Sequence, residues 1–183
     1  MPKTVLIPIA DGTEEIEAVT LIDVLRRAGA DVTVASVGAL QITASRGVKI
    51  VADCRITECA QRHFDLVVLP GGMPGAEHLR DSEVLRQILV SQNAAGRLFG
   101  AICAAPAVVL QTHGLLQGRR CTGHPGHMQR LSASGAAEAE VVVDRNCVTS
   151  RGPGTAMAFA LELVQQLFGE QKRAEVQAPM VVG

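Results

Sequence analysis

Short apolar runs alternate with longer segments of helical periodicity, and this alternation most constrains how the chain folds. Residues 4–10 (TVLIPIA), 64–69 (FDLVVL) and 98–102 (LFGAI) are nearly uninterrupted apolar runs. Helices are expected over about 14–28 and 82–95. Strands that are apolar on both faces are typical of parallel sheets covered by helices on both sides, and parallel strands need such crossover helices.

Weaker patterns extend the same architecture. Further helices are expected over about 104–112, 155–168 and 170–178, and further strands near 31–37, 48–52, 119–122, 140–143 and 147–150. No repeat, low-complexity tract or interdomain linker interrupts the sequence. The pattern predicts one domain over residues 1–183 with a flavodoxin-like, doubly wound α/β fold, in which a mostly parallel sheet carries helices on both faces.

Composition argues against several classes of function. The chain is 48% hydrophobic, carries a net charge of −1 and lacks Trp and Tyr, so nucleic-acid binding is not expected. No segment approaches the roughly 20 apolar residues of a membrane helix. Asp11-Gly12 interrupts the first apolar run, which predicts a strand rather than a signal peptide, and we expect a cytoplasmic protein.

The cysteines indicate reduced thiols. There are five, at positions 54, 59, 103, 121 and 147, and no Cys-x-x-Cys motif occurs. The odd number argues against a disulfide framework, and the spacing argues against a thiolate zinc site. His124 and His127 lie on a Pro-Gly segment without a further ligand cluster nearby in sequence, so we expect no metal.

Cys103 lies between a predicted strand and a predicted helix, within FGAICAAPAVVL at 99–110. In doubly wound sheets, ligands bind beyond the carboxyl ends of the strands. The amides and dipole of a helix N-terminus favour an anion, so this position predicts a nucleophilic thiol with a lowered pKa. A buried structural cysteine is the alternative, since free cysteines are among the most buried residues.

Glu17 lies on the apolar stripe of the first predicted helix, at helical spacing from Leu21 and Val24. Burial raises the pKa of a carboxyl group, so Glu17 could donate a hydrogen bond to a thiolate at neutral pH. A rim glutamate whose carboxylate reaches water is the alternative. Glu14 has a simpler explanation, because Asp11 and Glu14 match a capping box at the start of that helix.

Two glycine-rich loops, at 70–75 (PGGMPG) and 150–155 (SRGPGT), allow the main chain to approach a ligand closely. The Gly72 N–H could join the Ala104 N–H in stabilising an oxyanion. Neither loop matches a nucleotide-binding glycine motif.

Arg46 and Arg151, each within a Ser-Arg-Gly step, are candidate anion-binding residues, with a plain surface charge as the alternative. A histidine near the thiol, from the pair at 124 and 127, would serve as an acid–base or positioning group.

Together these stretches resemble the ThiJ/PfpI superfamily, and they are closest to the branch that contains the parkinsonism-associated protein deglycase and its bacterial homologues. The resemblance runs nearly end to end. It rests on DGTEEIEAVTLIDVLRRAGADVTVAS (11–36), SRGVKI (45–50), DLVVLPGGMPGAEHL (65–79), GAICAAPAVVL (100–110), Gly-His-Pro (123–125) and TSRGPGTAMAFAL (149–161).

The resemblance assigns roles to individual residues. It implies that Cys103 is the nucleophile, that Glu17 is the carboxylic acid hydrogen-bonded to its sulfur, and that His124 lies nearby. It implies oxyanion-type amides at Gly72 and Ala104.

The resemblance also places Glu14 and Arg46 among the pocket and dimer-contact residues, and it implies a homodimer with no metal or organic cofactor. Secondary cysteines of some relatives match Val51 and Ala44 here, so those positions carry no redox role in this chain. Cys54 and Cys59 lie elsewhere and inherit nothing from the family.

The function that follows is a cysteine-dependent, glutathione-independent glyoxalase or protein deglycase. It would convert methylglyoxal or glyoxal, or their adducts on glycated side chains, to hydroxy acids under carbonyl and oxidative stress. A non-enzymatic redox-sensing thiol protein or stress chaperone is the alternative. A cysteine peptidase-like hydrolase comes third, because no Cys-His-acid triad can be assigned from the sequence.

Overall fold

A computed structural model describes residues 2–131 and 138–182 and is centred on a seven-stranded sheet. The strands are β1 (Thr4–Ile9), β2 (Asp31–Ser36), β3 (Gln41–Thr43), β4 (Lys49–Val51), β5 (Cys54–Arg55), β6 (Leu66–Leu69), β7 (Leu98–Ile102), β8 (Val141–Asp144) and β9 (Cys147–Ser150). The main sheet has the order β5-β2-β1-β6-β7-β9-β8, and only β8 runs antiparallel to its neighbour. Its inner strands β2-β1-β6-β7-β9 follow the flavodoxin-like order.

Helices cover both faces of this sheet. They are α1 (Glu15–Arg27), α2 (Gly75–Asp81), α3 (Glu83–Ala94), α4 (Ala156–Phe168) and α5 (Glu170–Gln177). Helix α4 packs against α1 and α5 on one face, while α2 and α3 pack together on the other. The predicted doubly wound, mostly parallel α/β fold is therefore confirmed.

The core lies on both sides of the central strands, as their continuous apolar sequence requires. All residues of β6 are buried, as are Val5 to Ile9 of β1. Phe64, Phe99 and Phe159 are the largest fully buried side chains. These strands leave no polar side chain to face water, so helices must cover both faces.

Several local predictions were wrong. Residues 119–122 form only an isolated bridge at Cys121 rather than a strand, since both sides of β9 are already paired and the Thr122 N–H donates to the Thr149 hydroxyl. The helix expected over 104–112 is a π-helical segment over Pro106–Leu110, in which the Gln111 N–H donates to the Pro106 carbonyl at 2.8 Å. Strands β3 and β5 and helix α2 were not predicted, because they are short or begin within glycine and proline.

The short strands have different places in the fold. Strands β3 and β4 pair with each other as an antiparallel hairpin outside the main sheet. Strand β5 instead extends the main sheet beyond β2. Within the part of the chain that the structure describes, no helix has the length and apolar character to cross a membrane.

The loops after β1 and β6 cross at a point where only glycine fits. A Cβ atom on Gly75 would lie 2.5 Å from the Thr13 nitrogen and 2.6 Å from the Gly12 carbonyl carbon. Both loops leave the carboxyl ends of adjacent strands, where the chain order reverses direction across the sheet. The close crossing therefore fixes the two loops that frame the candidate site.

We expect Gly75→Ala to lower the free energy of unfolding by about 3 kcal/mol, because the added methyl overlaps backbone atoms that cannot move independently. Gly38→Ala is the matched control: its Cβ would meet nothing within 4 Å, and the change should stay within about 1 kcal/mol. Urea unfolding of both variants measures the difference. Equal effects would show that the crossing is not tightly packed.

Candidate active site

Cys103 occupies a strained backbone position between β7 and the first helical turn. Its φ is 65°, which is unusual for a residue other than glycine. The Cys103 N–H donates to the Ser150 carbonyl at 3.0 Å, and its carbonyl accepts from the His124 N–H at 2.8 Å. Both backbone groups are thus held by neighbouring loops, and such over-determined strain is typical of functional sites.

Glu17 projects from α1 into the space beneath Cys103 and is fully buried. Its Oε2 accepts a 2.7 Å hydrogen bond from the Gly71 N–H. Its Oε1 meets no nitrogen or oxygen donor among the described residues. The Cys103 thiol lies close to this carboxyl group, and each of the two groups shifts the pKa of the other.

Gly71 allows this convergence because it has no side chain. A Cβ atom there would lie 2.7 Å from the Cys103 Cβ and 2.9 Å from Glu17 Oε2. Helix α1, the loop after β6 and the end of β7 therefore pack against one another without space for a side chain at position 71.

Burial raises the pKa of Glu17 to about 7, against the opposing hydrogen bonds from Gly71 and Cys103. The carboxyl group does not reach water, so the alternative of a rim glutamate is wrong. A carboxyl group with a pKa near neutrality is suited to exchanging a proton at physiological pH.

The expected lowering of the Cys103 pKa is wrong. Burial, followed by the charge and hydrogen bond of Glu17, raises the pKa of Cys103 to about 12, while the Gly72 and Ala104 amides act in the opposite direction. The amides lower the pKa of the thiol, but their effect is smaller than the increase caused by desolvation and by the negative charge of Glu17. Cys103 therefore needs a base to remove its proton, and Glu17 is in contact with it.

Cys103 opens into a cavity of about 330 Å³. Every residue assigned to the site except the fully buried Glu17 lines it, and the lining includes Glu14, Arg46, Gly72, Cys103, Ala104 and His124. His127, the other member of the predicted histidine pair, also lines the cavity, as do Met73 and Pro153 from the two glycine-rich loops. Ser45 was not predicted, because in the sequence it stands out only as the neighbour of Arg46.

Glu14, rather than Asp11, caps α1. Glu14 Oε2 accepts from the Glu17 N–H at 2.9 Å, whereas Asp11 Oδ1 accepts from the Thr43 N–H at 2.8 Å. The predicted capping box is therefore wrong, because the β3–β4 hairpin recruits Asp11. The Glu14 contact also fixes the start of α1 directly above the buried Glu17.

Arg46 lies at the tip of the β3–β4 hairpin, beside the cavity. Its backbone N–H donates to Glu15 Oε1, and the Ser45 hydroxyl donates to Glu15 Oε2, both at 2.8 Å. The hairpin is thereby attached to α1 next to Glu17. Arg151 instead lines a neighbouring cavity of about 320 Å³ that shares His124 and Pro153 with the first.

His124 lies at the mouth of the cavity. Its Nδ1 accepts from the Gly126 N–H at 3.1 Å, which leaves the proton of the neutral ring on Nε2. No carboxylate orients this ring among the contacts of residues 2–131 and 138–182, so the peptidase triad gains no support. Over the same ranges, no group of three or more His, Cys, Asp or Glu residues is placed to hold a metal.

Comparison with known proteins finds similar sequences and similar structures. The sequence pattern of the DJ-1/PfpI family matches residues 3–166. Protein DJ-1 homolog A of Arabidopsis thaliana is 49% identical over an alignment of 183 positions, which covers 98% of this chain and 47% of that protein. The chain thus spans about half the length of this relative.

Two further proteins align over nearly their whole length. The glutathione-independent glyoxalase DJR-1.2 of Caenorhabditis elegans is 35% identical, over 96% of this chain and 94% of its own. The structure of oxidized Toxoplasma gondii DJ-1 superposes with a TM-score of 0.97 at 45% identity and covers 99% of both chains.

The raised pKa of Glu17 makes stability depend on pH. Between about pH 4.5 and 7 the folded chain holds a proton that the unfolded chain has lost, so the free energy of unfolding falls as pH rises through this window. Glu17→Gln removes this dependence. We expect the stability of Glu17→Gln relative to wild type to increase by about 3 kcal/mol from pH 4.5 to pH 8.

Urea unfolding at the two pH values measures this change. Other titrating groups cancel because they occur in both proteins. A stability difference that is the same at both pH values would show that the Glu17 pKa is ordinary.

Proposed function

The chain belongs to the DJ-1/PfpI family, and on this premise we propose that it is a cysteine-dependent, glutathione-independent glyoxalase. Its substrate would be methylglyoxal or glyoxal, and its product the corresponding hydroxy acid. The observation that carries the proposal is the buried Glu17 carboxyl, with a pKa of about 7, in contact with the Cys103 thiol at the base of a cavity.

The first step is addition of sulfur to the aldehyde. Glu17 takes the thiol proton as the Cys103 sulfur forms a bond to the terminal carbon. The former aldehyde oxygen then takes this proton, which gives a hemithioacetal and regenerates the Glu17 carboxylate. The Gly72 and Ala104 amides, which already favour negative charge on the sulfur, lie close enough to stabilise charge on the adjacent oxygen. Proton transfer to Glu17 also neutralises the carboxylate charge that contributes to the high pKa of the thiol.

The second step moves a proton between carbons. The Glu17 carboxylate removes the proton of the hemithioacetal carbon and returns it to the neighbouring carbon through an enediolate. The product is a thioester of the hydroxy acid on Cys103. Water then hydrolyses the thioester, so that one methylglyoxal and one water give one lactate. His124, at the mouth of the cavity, is the group available to assist proton transfer to the oxygens.

Aldehyde adducts on side chains are a second substrate class for the same atoms. In an aminocarbinol or hemithioacetal adduct, the former aldehyde carbon is attached to the modified side chain, which forms a longer arm that must also fit beside the site. The neighbouring cavity, which meets the first at His124 and Pro153, offers room for that arm. A deglycase activity, and a role in carbonyl stress, would then follow from the same nucleophile.

A redox-sensing thiol is the second candidate. The partly accessible Cys103 is 9% exposed, and protonated Glu17 could donate a hydrogen bond to an oxidised sulfur. The close structural similarity to oxidized Toxoplasma gondii DJ-1 supports considering this function. A redox sensor requires no turnover of aldehydes, and this difference distinguishes it experimentally from a glyoxalase.

We expect lactate formation from methylglyoxal, without glutathione, by the wild type but not by Cys103→Ala, with a loss of at least about 10³-fold. Glu17→Gln should lower kcat/KM by about 10²- to 10⁴-fold, because it cannot accept the proton. For the wild type, kcat/KM should rise with pH and level off above about 7 as Glu17 ionises.

Gly38→Ala, remote from Cys103, is the control and should retain activity. Turnover that survives in Cys103→Ala would refute the mechanism. A folded, reduced wild type with no turnover would favour the sensor.

The same premise supports a homodimer. Ile16 and Val19 on α1, together with Val48 and Val51 on the β3–β4 hairpin, are 49–67% exposed. These residues belong to two elements that Glu15 ties together through Ser45 and Arg46. Exposed apolar side chains grouped on adjoining elements are typical of an interface.

We expect Val51→Lys to convert the dimer to a monomer in sedimentation analysis, since it places a charge in the apolar patch. Val90→Lys is the control, because Val90 is also exposed, at 41%, but lies on α3 at the opposite face of the sheet. A monomeric wild type, or equal behaviour of both variants, would contradict this assignment.

A further inference from the structure

Two cysteines outside the candidate active site lie side by side. Cys54 Sγ and Cys59 Sγ are 3.7 Å apart and share a hydrogen bond. Cys59 is fully buried, whereas Cys54 is half-buried and reaches solvent. The family resemblance assigned neither residue a role, so their proximity calls for its own explanation.

The backbone on both sides holds this pair in place. Cys54 belongs to β5 and pairs with Ala35 of β2. The preceding Asp53 accepts from the Val34 N–H at 2.8 Å and donates its own N–H to the Val34 carbonyl. On the other side, the Arg55 N–H donates to Glu58 at 2.9 Å, which closes the turn that carries Cys59. The sulfurs are therefore near neighbours in the folded, reduced protein.

The surroundings distinguish the two thiols chemically. Burial and the neighbouring Cys54 raise the pKa of Cys59 to about 11, so Cys59 keeps its proton in the reduced pair. Arg62 Nη1 lies 4.0 Å from Cys59 Sγ and would favour negative charge there as the proton leaves. The accessible Cys54 is placed to react first, and Cys59 is placed to attack it.

We propose that Cys54 and Cys59 form a reversible dithiol–disulfide site that reacts with hydrogen peroxide independently of Cys103. The Cys54 sulfur attacks the peroxide O–O bond, forms an S–O bond and releases one water. The Cys59 sulfur then attacks the Cys54 sulfur, so that the S–S bond forms, the S–O bond breaks and a second water leaves. Two thiols lose two electrons to one peroxide, and the sulfurs close from 3.7 Å to the roughly 2.05 Å of a disulfide.

Distance separates this site from Cys103. Strands β2, β1 and β6 lie between β5 and β7, which is four interstrand spacings, or about 19 Å across the sheet. Cys103 follows β7 directly, so it cannot resolve a sulfenic acid on Cys54 without unfolding. The dithiol is therefore a second redox site rather than part of the catalytic one.

Trypsin offers a direct test, because it cleaves after Lys49, Arg55 and Arg62 and so places the two cysteines on IVADCR and ITECAQR. After about one equivalent of hydrogen peroxide and alkylation, we expect the two peptides as one species, lighter by two hydrogens than their sum. Dithiothreitol should separate them. Cys103→Ser should give the same cross-linked species to the same extent.

Two variants identify the roles of the thiols. Cys59→Ala removes the resolving thiol, so dimedone should trap a sulfenic acid on IVADCR that the wild type does not accumulate. Cys54→Ser should abolish the cross-link and leave methylglyoxal turnover unchanged.

Free thiols on both peptides while Cys103 becomes oxidised would overturn the proposal. Random pairing with Cys121 or Cys147 would do the same. Loss of aldehyde turnover alone leaves this test unaffected, since the dithiol does not depend on the proposed glyoxalase.

Discussion

The hydrogen bond from the Gly71 N–H to the buried Glu17 carboxyl organises the whole candidate site. It joins α1 to the loop after β6, and the carboxyl group it holds contacts Cys103 at the end of β7. These three segments are far apart in sequence but come together where the chain order of the sheet reverses. The parallel sheet thus positions the acid, the amide and the thiol before any substrate arrives.

Two features of this arrangement lower the stability of the fold. A carboxyl group is buried with one oxygen lacking a nitrogen or oxygen donor among the described residues, and Cys103 has a backbone conformation that suits glycine. The surrounding structure offsets both. The Ser150 and His124 backbone bonds hold Cys103, and the closely packed glycine crossing holds the loops above it. Rigidity around a strained centre is what preorganised catalysis requires.

Much of the fold and part of the site followed from sequence, for identifiable reasons. The apolar runs predicted the parallel strands because burial on both faces leaves a continuous signal. The burial of Glu17 was predicted as one of two alternatives because this residue interrupts an apolar stripe. Gly71 was missed, since its importance depends on contacts with α1 and β7 that no local pattern records. The predicted shift of the Cys103 pKa had the wrong direction. The helix-terminus rule uses local sequence only, whereas desolvation and the Glu17 charge arise from tertiary contacts. The neighbouring sulfurs of Cys54 and Cys59 were invisible for the same reason.

The left-handed backbone at position 103 has a consequence for how such a chain evolves. Any L-amino acid there carries strain that glycine would relieve, and a neutral side chain at position 17 would remove a buried ionisable group. A lineage that stopped using the thiol would therefore gain stability by drifting away from both residues. The fold therefore carries a stability cost at both positions for as long as Cys103 and Glu17 are kept.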